Sequence, residues 1–412
     1  MKLPQRYAFF RKTGTVWCRF QADSVRKCPA LLSFAGCEKV DEVAAGLPHL
    51  HIHCNRDCVT RAMRFFGLLF ISLALHLSLS AQDKPVPREK TIHWLPVPTL
   101  GYAPETRAYI GAVVMATFHT HPKDTRASNA KTEFTYTQRH QVICNLGYTL
   151  FTPAEKYRLS GQLNLSRFPD NFWGFGNETP DSVKFIYNST RREAEMVFQK
   201  NLGHNWFLGP LLRYSRFSRF DSLSGKSSVF FKQGALQTMG AGFSLLHDSR
   251  DNLLNPGKGY FVEWQSRYMK HRHTYLYSSL DLRAYRSFFD QRLVCAAKMV
   301  GIHSNPRGAP FYDAALLGGD RNQRGYYYGR YRDRGAVMAQ FETRYTVYRR
   351  WGVAAFVTAG RTFGDLWVSK KVHTSQGIGV RFMADRKERT NMRIDYAFGK
   401  ASGFYFSFGE AF

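Results

Sequence analysis

Apolar and polar residues alternate at every second position through many segments of this chain. In "GYFVEWQSRY", Tyr260, Val262 and Trp264 share one face, whereas Glu263 and Arg267 lie on the other. This period is typical of β-strands with one apolar and one polar face. Fifteen strands are clear, and 92–102 is the best sixteenth because an edge strand tolerates its prolines. The predicted strands lie near 92–102, 107–118, 129–138, 141–151, 156–168, 184–200, 203–219, 234–247, 259–270, 274–288, 291–303, 336–348, 351–360, 374–384, 390–399 and 403–411.

The alternation fits two architectures. A soluble sandwich buries its apolar faces between two sheets. A transmembrane barrel turns them towards lipid and keeps its polar face for the lumen. The predicted strands are about 10–14 residues long, whereas strands of soluble proteins average about 5–6. Tyr, Phe and Trp dominate the apolar faces, as in the aromatic girdles of membrane barrels. We therefore predict an all-β fold, a transmembrane antiparallel β-barrel of 16 strands.

An apolar segment near the start has the layout of a secretory signal peptide. Arg64 supplies a short positive region, residues 65–79 are apolar, and small residues up to Ala81 offer a cleavage site. The run is shorter than the roughly 20 residues that a membrane-spanning helix needs. A buried helix is the alternative, but it leaves the prolines that follow unexplained. The expected organisation is an untranslated upstream extension at 1–62, a signal peptide at 63–81 and the barrel at 82–412.

The charge of the chain narrows the choice of partners. A formal net charge of +27 over 412 residues suggests either nucleic acid or an anionic membrane surface. The basic residues are scattered among aromatics and match no zinc-finger, RNA-recognition or basic-zipper pattern. The charge therefore favours an anionic membrane surface as the partner, and no nucleic acid is expected. The segment "HLHIHCNRDC" (49–58) contains metal-ligand residue types, but its spacing matches no zinc module, so no metal or other cofactor is expected.

An enzymatic function is not favoured. The chain contains no G-x-S-x-G motif. His247, Asp248, Ser249 and Asp251 lie together, but neighbours on one turn do not supply the geometry of a nucleophile, a base and an orienting group. Turn formation at "NPG" (255–257) explains this segment.

Four motifs occur in a fixed order in the final third of the chain. They resemble the BamA/TamA-type outer-membrane barrel family, also called the bacterial surface antigen family. The likeness covers 235–412 and extends more weakly to residue 92. It implies a location in the outer membrane of a Gram-negative bacterium, with outer-membrane lipids and lipopolysaccharide as partners. It also implies a long extracellular loop near 304–335 that folds inward. The motifs are "HDSRDNLLNPGKGYFVEW" (247–264), "LLGGDRNQRGYYYGRYRDRG" (316–335), "QFETRY" (340–345) and "AAFVTAG" (354–360).

The resemblance also implies roles for single residues. Arg324, Gly325 and Tyr326 match the tip of the inward-folded loop, where the arginine reaches an acid on the inner barrel wall. Glu342 stands where the family supplies one such acid. Thr358 stands where a second acid is common, so the latch is expected to rely on Glu342 alone. The alternative is that Arg324 lies in an external basic loop.

The end of the chain resembles the C-terminal signal of many outer-membrane barrels. Phe404, Phe406, Phe408 and Phe412 lie at even positions and are expected on one face. Glu410 stands at a place that is usually apolar. We expect it at the membrane interface, where a charge costs about 0–1 kcal/mol.

Two functions remain open. The first is a barrel that assists assembly, insertion or translocation of proteins or lipids at the outer membrane. Its seam between 92–102 and 403–411 would open because Pro96, Pro98 and Gly409 weaken pairing. The second is a plugged pore or structural barrel without insertase activity. The motif set favours the first, with periplasmic assembly proteins or unfolded outer-membrane proteins as partners. The absence of room in 82–100 for the family's periplasmic repeat domains favours the second.

Overall fold

The computed structural model describes six parts of the chain, and the predictions for 1–62, 63–81 and the metal-ligand types at 49–58 fall outside them. No helix in these parts is long and apolar enough to cross a membrane. The described residues are 92–103, 106–120, 125–224, 235–304, 309–364 and 370–412.

Within the described residues, sixteen strands form one antiparallel sheet in which each strand pairs with its neighbour along the barrel wall. Two further short strands, β12 and β13, pair with each other in the loop between β11 and β14. Three single-turn 3-10 helices lie at Pro153–Glu155, Asp181–Val183 and Phe311–Asp313. The strands are β1 (His93–Ala103), β2 (Arg107–Phe118), β3 (Ser128–Thr137), β4 (Val142–Phe151), β5 (Tyr157–Phe172), β6 (Phe185–Gly203), β7 (Trp206–Ser224), β8 (Leu236–Asp248), β9 (Gly259–Lys270), β10 (Thr274–Phe288), β11 (Leu293–Ser304), β12 (Ala315–Leu317), β13 (Tyr331–Asp333), β14 (Gly335–Tyr348), β15 (Trp351–Phe363), β16 (His373–Asp385), β17 (Thr390–Phe398) and β18 (Gly403–Phe408).

The prediction of a 16-stranded antiparallel barrel is confirmed, and each predicted segment contains a barrel strand. β6 and β7 are the longest, at 19 residues each. The last strand is shorter than predicted, because β18 ends at Phe408 rather than near residue 411.

The two faces of the wall differ as the alternation predicts. On β9 the outward side chains of Tyr260, Trp264 and Tyr268 are 61%, 43% and 67% exposed. The inward Arg267 is buried and pairs with Glu195 of β6 across 3.0 Å. The wall therefore presents apolar side chains outside and paired charges inside, as a barrel in lipid requires.

The two ends of the barrel carry different connections. We call the loop end the one with the long connections 173–184, 225–235, 305–334 and 364–372. The opposite end, the turn end, carries short turns and the segment 249–258.

The described part of the loop between β11 and β14, residues 309–334, folds into the lumen. Its hairpin strands β12 and β13 pack against the inner wall at β11 and β14. The apolar part of this contact consists of Val300, Ala315, Leu317, Tyr326, Tyr331, Ala336 and Met338.

Candidate functional site

The tip of the loop is fixed to the inner wall through Arg324, which is fully buried. Its Nη2 lies 2.5 Å from Glu342 Oε2, and its Nη1 lies 2.5 Å from Asp395 Oδ2. The guanidinium carbon lies 3.5 Å from the centre of the Phe356 ring, a cation–π arrangement. Arg324 thus joins the loop to β14, β15 and β17.

The two residues after Arg324 are fixed by backbone conformation and by hydrogen bonds to the barrel wall. Gly325 has a φ of +90°, and a Cβ there would lie 3.0 Å from the Ser375 Cβ. Its N–H donates to the Tyr405 hydroxyl across 3.0 Å, and the Tyr326 hydroxyl donates to the Thr374 carbonyl across 3.1 Å. Only glycine combines this backbone conformation with so close an approach to β16.

The acids that Arg324 contacts belong to a larger charge network inside the barrel. Arg381 of β16 lies 2.8 Å from Glu410, 2.6 Å from Asp395 and 3.4 Å from Glu342. Arg344 of β14 lies 2.7 Å from Glu342. The network balances four arginines against four acids, which offsets part of the cost of removing charges from water. Its members are Arg324, Arg344, Arg381, Arg393, Asp320, Glu342, Asp395 and Glu410.

The expectation that Glu342 alone holds Arg324 is wrong. Thr358 is buried, and its hydroxyl oxygen lies 2.6 Å from that of Ser375. The second acid comes from Asp395 on β17 instead. In "NMRIDYAF" (391–398), the alternation places Asp395 on the polar face of its strand. It carries no information on which distant side chain that carboxylate contacts.

The chain leaves the barrel wall after β18. Gly409 has a φ of +76°, and the N–H of Glu410 donates to the Leu254 carbonyl across 2.8 Å. The Glu410 side chain is fully buried and pairs with Arg381. The expected position of Glu410 at the membrane interface is therefore wrong, because the turn at Gly409 directs it into the lumen.

The same turn separates the last phenylalanine from the others. Phe404 is 44% exposed on the outer face, whereas Phe412 is 4% exposed. Phe412 packs against Tyr285, and its carbonyl accepts a hydrogen bond from Arg344 across 3.1 Å. The expectation that Phe412 shares a face with Phe404, Phe406 and Phe408 is wrong.

The two edge strands of the sheet, β1 and β18, meet at a seam. Every other neighbouring pair of barrel strands shares a backbone ladder, but no ladder joins β1 to β18, both of which are fully described. A side chain reaches across the seam instead, since the Tyr109 hydroxyl of β2 lies beside the Phe406 backbone. It reaches there across Gly101 of β1, where a Cβ would collide with the tyrosine ring.

Nearer the turn end, apolar side chains close the seam. Leu95 and Val97 of β1 and Phe406 pack onto a cluster that contains the buried Phe408. Other members of this seam cluster are Val113, Met115, Leu254 and Met392.

Leu254 belongs to the crossing turn, which we define as residues 249–258 between β8 and β9. In the sheet, β9 is separated from β17 by five strands, so this turn spans the mouth of the barrel at its turn end. Asp251 lies 2.8 Å from Arg389, and the Asn252 amide donates to the Glu388 carbonyl across 3.2 Å. The crossing turn thus ties β8 and β9 to the far wall beside the seam.

The ionised carboxylate of Asp251 stabilises the start of the crossing turn. Burial alone raises the pKa of Asp251, but backbone N–H groups of Lys258 and Gly257 and the Arg389 guanidinium hold that pKa below its usual value. The resulting stabilisation is present above the unfolded pKa of about 3.9 and is lost as the pH falls through the folded-state value.

A closed wall with an apolar outside, paired charges inside and an inward-folded loop defines a transmembrane barrel of the outer-membrane type. Residues 126–412 match the Omp85 superfamily domain. The chain belongs to the Omp85 superfamily and is a protein of the Gram-negative outer membrane.

Two solved structures share the fold. BamA from Haemophilus ducreyi, lacking POTRA domains 1–3, has a TM-score of 0.50 and 13% identity, over 78% of this chain and 70% of that one. CdiB from Acinetobacter baumannii has a TM-score of 0.51 and 12% identity, over 78% of this chain and 60% of that one. No curated protein matches the chain.

Proposed function

We propose that this protein assists the assembly, insertion or translocation of proteins, or of lipids, at the outer membrane by opening its seam sideways. The observation that carries the proposal is the missing backbone ladder between β1 and β18. The family of the chain, Omp85, agrees with assembly or transport.

Opening the seam breaks fewer strong interactions than opening any other strand pair. The ladder between β17 and β18 joins six residue pairs, from Met392–Phe408 to Ala397–Gly403. Breaking it in lipid would expose N–H and C=O groups without partners, at several kcal/mol each. Opening the seam instead separates apolar contacts and the contact of Tyr109 with the Phe406 backbone. The freed edge of β18, which contains no proline, is a template on which an incoming strand can pair.

The Arg324 network and the crossing turn keep the rest of the barrel rigid while the seam moves. The network joins β14, β16, β17 and the residues after β18 through charged side chains. In this role Arg324, Gly325 and Tyr326 form a latch that holds the loop inside, with Glu342 and Asp395 as its partners on the wall.

A plugged pore or structural barrel is the second candidate, and one observation favours it. The loop reaches both walls of the lumen. Tyr327 donates across 2.6 Å to Asp170 of β5, on the wall opposite the Arg324 network, and Arg330 lies 2.8 Å from Asp181 in the loop that follows β5. A loop fixed on both sides would block a passage along the barrel axis whether or not the seam opens.

The partners proposed are unfolded outer-membrane proteins, periplasmic assembly proteins and the lipids of the outer membrane, including lipopolysaccharide. Residues 63–81 are proposed to direct export as a signal peptide, with Met63 as the start of the cellular product. N-terminal sequencing of the mature protein tests this, because a peptide from 1–62 in the native product would contradict it.

Reconstitution into liposomes distinguishes the two candidate functions. The purified protein is scored for insertion of an unfolded test barrel and for ionic conductance. An assembly barrel accelerates insertion and conducts little while its loop is latched. Steady conductance without faster insertion would favour the pore, and co-purification of periplasmic assembly proteins would support the first candidate.

A further inference from the structure

Three exposed arginines lie side by side on the outer wall of β5, β6 and β7. Arg192 of β6 stands directly opposite Arg216 of β7 in the register. Arg167 of β5 stands opposite Thr190, the outward residue next to Arg192 on β6. Their strand neighbours Ser166 and Ser215 are buried on the inner side. All three guanidinium groups therefore project from one patch of the outer surface.

This patch carries an uncompensated charge. Arg167, Arg192 and Arg216 form no ion pair and no side-chain hydrogen bond with the described part of the chain, whereas Arg191 and Arg213, beside them in sequence, pair with lumen acids. Cβ atoms of directly opposite residues lie about 4.5–5.5 Å apart, and like charges in that position destabilise a sheet. An anion between the guanidinium groups would remove that repulsion.

The patch lies at the margin of the apolar wall. Towards the turn end, the outward Leu165, Met196 and Leu212 are 42%, 42% and 50% exposed. The next outward basic residue on β6 is Lys200. Eight strand steps from Arg192 span about 26 Å along the strand, or about 20 Å of height at a tilt of about 35–45°, which is close to an apolar band about 25 Å tall. The three arginines therefore stand at headgroup level at the loop end.

We propose that Arg167, Arg192 and Arg216 bind the phosphate groups of a diphosphorylated glycolipid, the lipid A part of lipopolysaccharide, in the leaflet at the loop end. Guanidinium groups bind phosphate through paired N–H donors. Three positive charges match a headgroup with two phosphates better than one with a single phosphate. The acyl chains of such a lipid lie along the apolar wall below the patch. The site depends on the membrane location and not on the proposed assembly function.

Native mass spectrometry of the full chain in detergent tests the site, with diphosphoryl lipid A, monophosphoryl lipid A and phosphatidylglycerol as probes. Each basic residue near an anionic surface contributes about 1 kcal/mol, so Arg192→Gln with Arg216→Gln should weaken diphosphoryl lipid A binding about thirty-fold. The matched control is Lys200→Gln with Arg286→Gln, which removes two outward charges at the turn end and should change binding less than about three-fold. The lysine pair, Arg192→Lys with Arg216→Lys, should give an intermediate loss.

The heat-dependent gel mobility of a folded barrel confirms that each variant is folded. Equal losses in the two glutamine pairs would overturn the site, because binding would then follow total charge. Equal affinity of the wild-type protein for phosphatidylglycerol and diphosphoryl lipid A would overturn the choice of lipid.

Discussion

Arg324 is held by geometry as much as by charge. Its planar group meets two carboxylates, of Glu342 and Asp395, while one face covers the Phe356 ring. Lysine has neither the fork nor the flat face, so the two basic residues are not equivalent here. Removing one member of a buried charge network leaves its partners in an apolar setting without full compensation.

Arg324→Ala should release the loop from β14 and β17. Breaking a buried ion pair lowers the free energy of unfolding by about 3–5 kcal/mol. We expect a loss at the lower end of this range, because the other arginines of the network still neutralise Glu342 and Asp395. We expect faster proteolysis within 318–335 and higher single-channel conductance, with a smaller effect for Arg324→Lys. If both variants match the wild-type protein in proteolysis and conductance, the latch role is wrong.

At the level of structural elements, the seam and the crossing turn are in contact at the seam cluster and just after β18. Leu254 brings the crossing turn into the seam cluster, and the carbonyl of Leu254 holds Glu410 just after β18. At the other end of the seam, Tyr109 reaches Phe406 over Gly101. The closed seam thus depends on side chains and on a turn that belongs to the opposite wall.

Gly101→Val should open the part of the seam that lies towards the loop end. Any Cβ at residue 101 collides with the Tyr109 ring, so the ring must leave its position beside the Phe406 backbone. Spin labels at residues 100 and 404, both outward, should show a longer and broader distance distribution by pulsed electron paramagnetic resonance. Gly147→Val is the matched control, because a Cβ there meets no atom within 4 Å. An unchanged distribution in Gly101→Val would contradict this part of the account.

Leu254→Ala should loosen the part of the seam that lies nearer the turn end. Leu254 is partly buried, so its truncation should cost less than the about 2–5 kcal/mol of a fully buried leucine, and the loss falls on contacts with the cluster around Phe408. Leu253→Ala is the control, since Leu253 belongs to the same turn but packs onto a separate cluster around Phe207. Spin labels at residues 94 and 407, which lie outside the seam cluster, report the distance. Equal broadening in both variants would mean that the turn affects global stability and not the seam.

For the whole molecule, the sequence predicts the wall well and the contacts across the lumen poorly. Strand positions follow from period-two alternation, which is local, so all sixteen segments are recovered. The partnership of Arg324 with Asp395 joins residues 71 apart in sequence, and alternation carries no information on it. The predicted positions of Glu410 and Phe412 are wrong for a related reason. Both residues follow the turn at Gly409, and this turn depends on a contact with Leu254 from the far wall.

The central claim is that the seam between β1 and β18 opens during function. Cysteine pairs between residues 93–101 and 404–408, in a chain whose seven native cysteines are replaced by serine, lock the seam when oxidised. A disulfide needs Cα atoms about 4.4–6.8 Å apart, so we expect efficient cross-links beside the seam cluster and poor ones elsewhere.

Insertion of an unfolded test barrel into liposomes is the deciding measurement on such a cross-linked pair. Oxidation should abolish insertion, reduction should restore it, and conductance should stay the same in both states. Efficient cross-linking with undiminished insertion would contradict lateral opening.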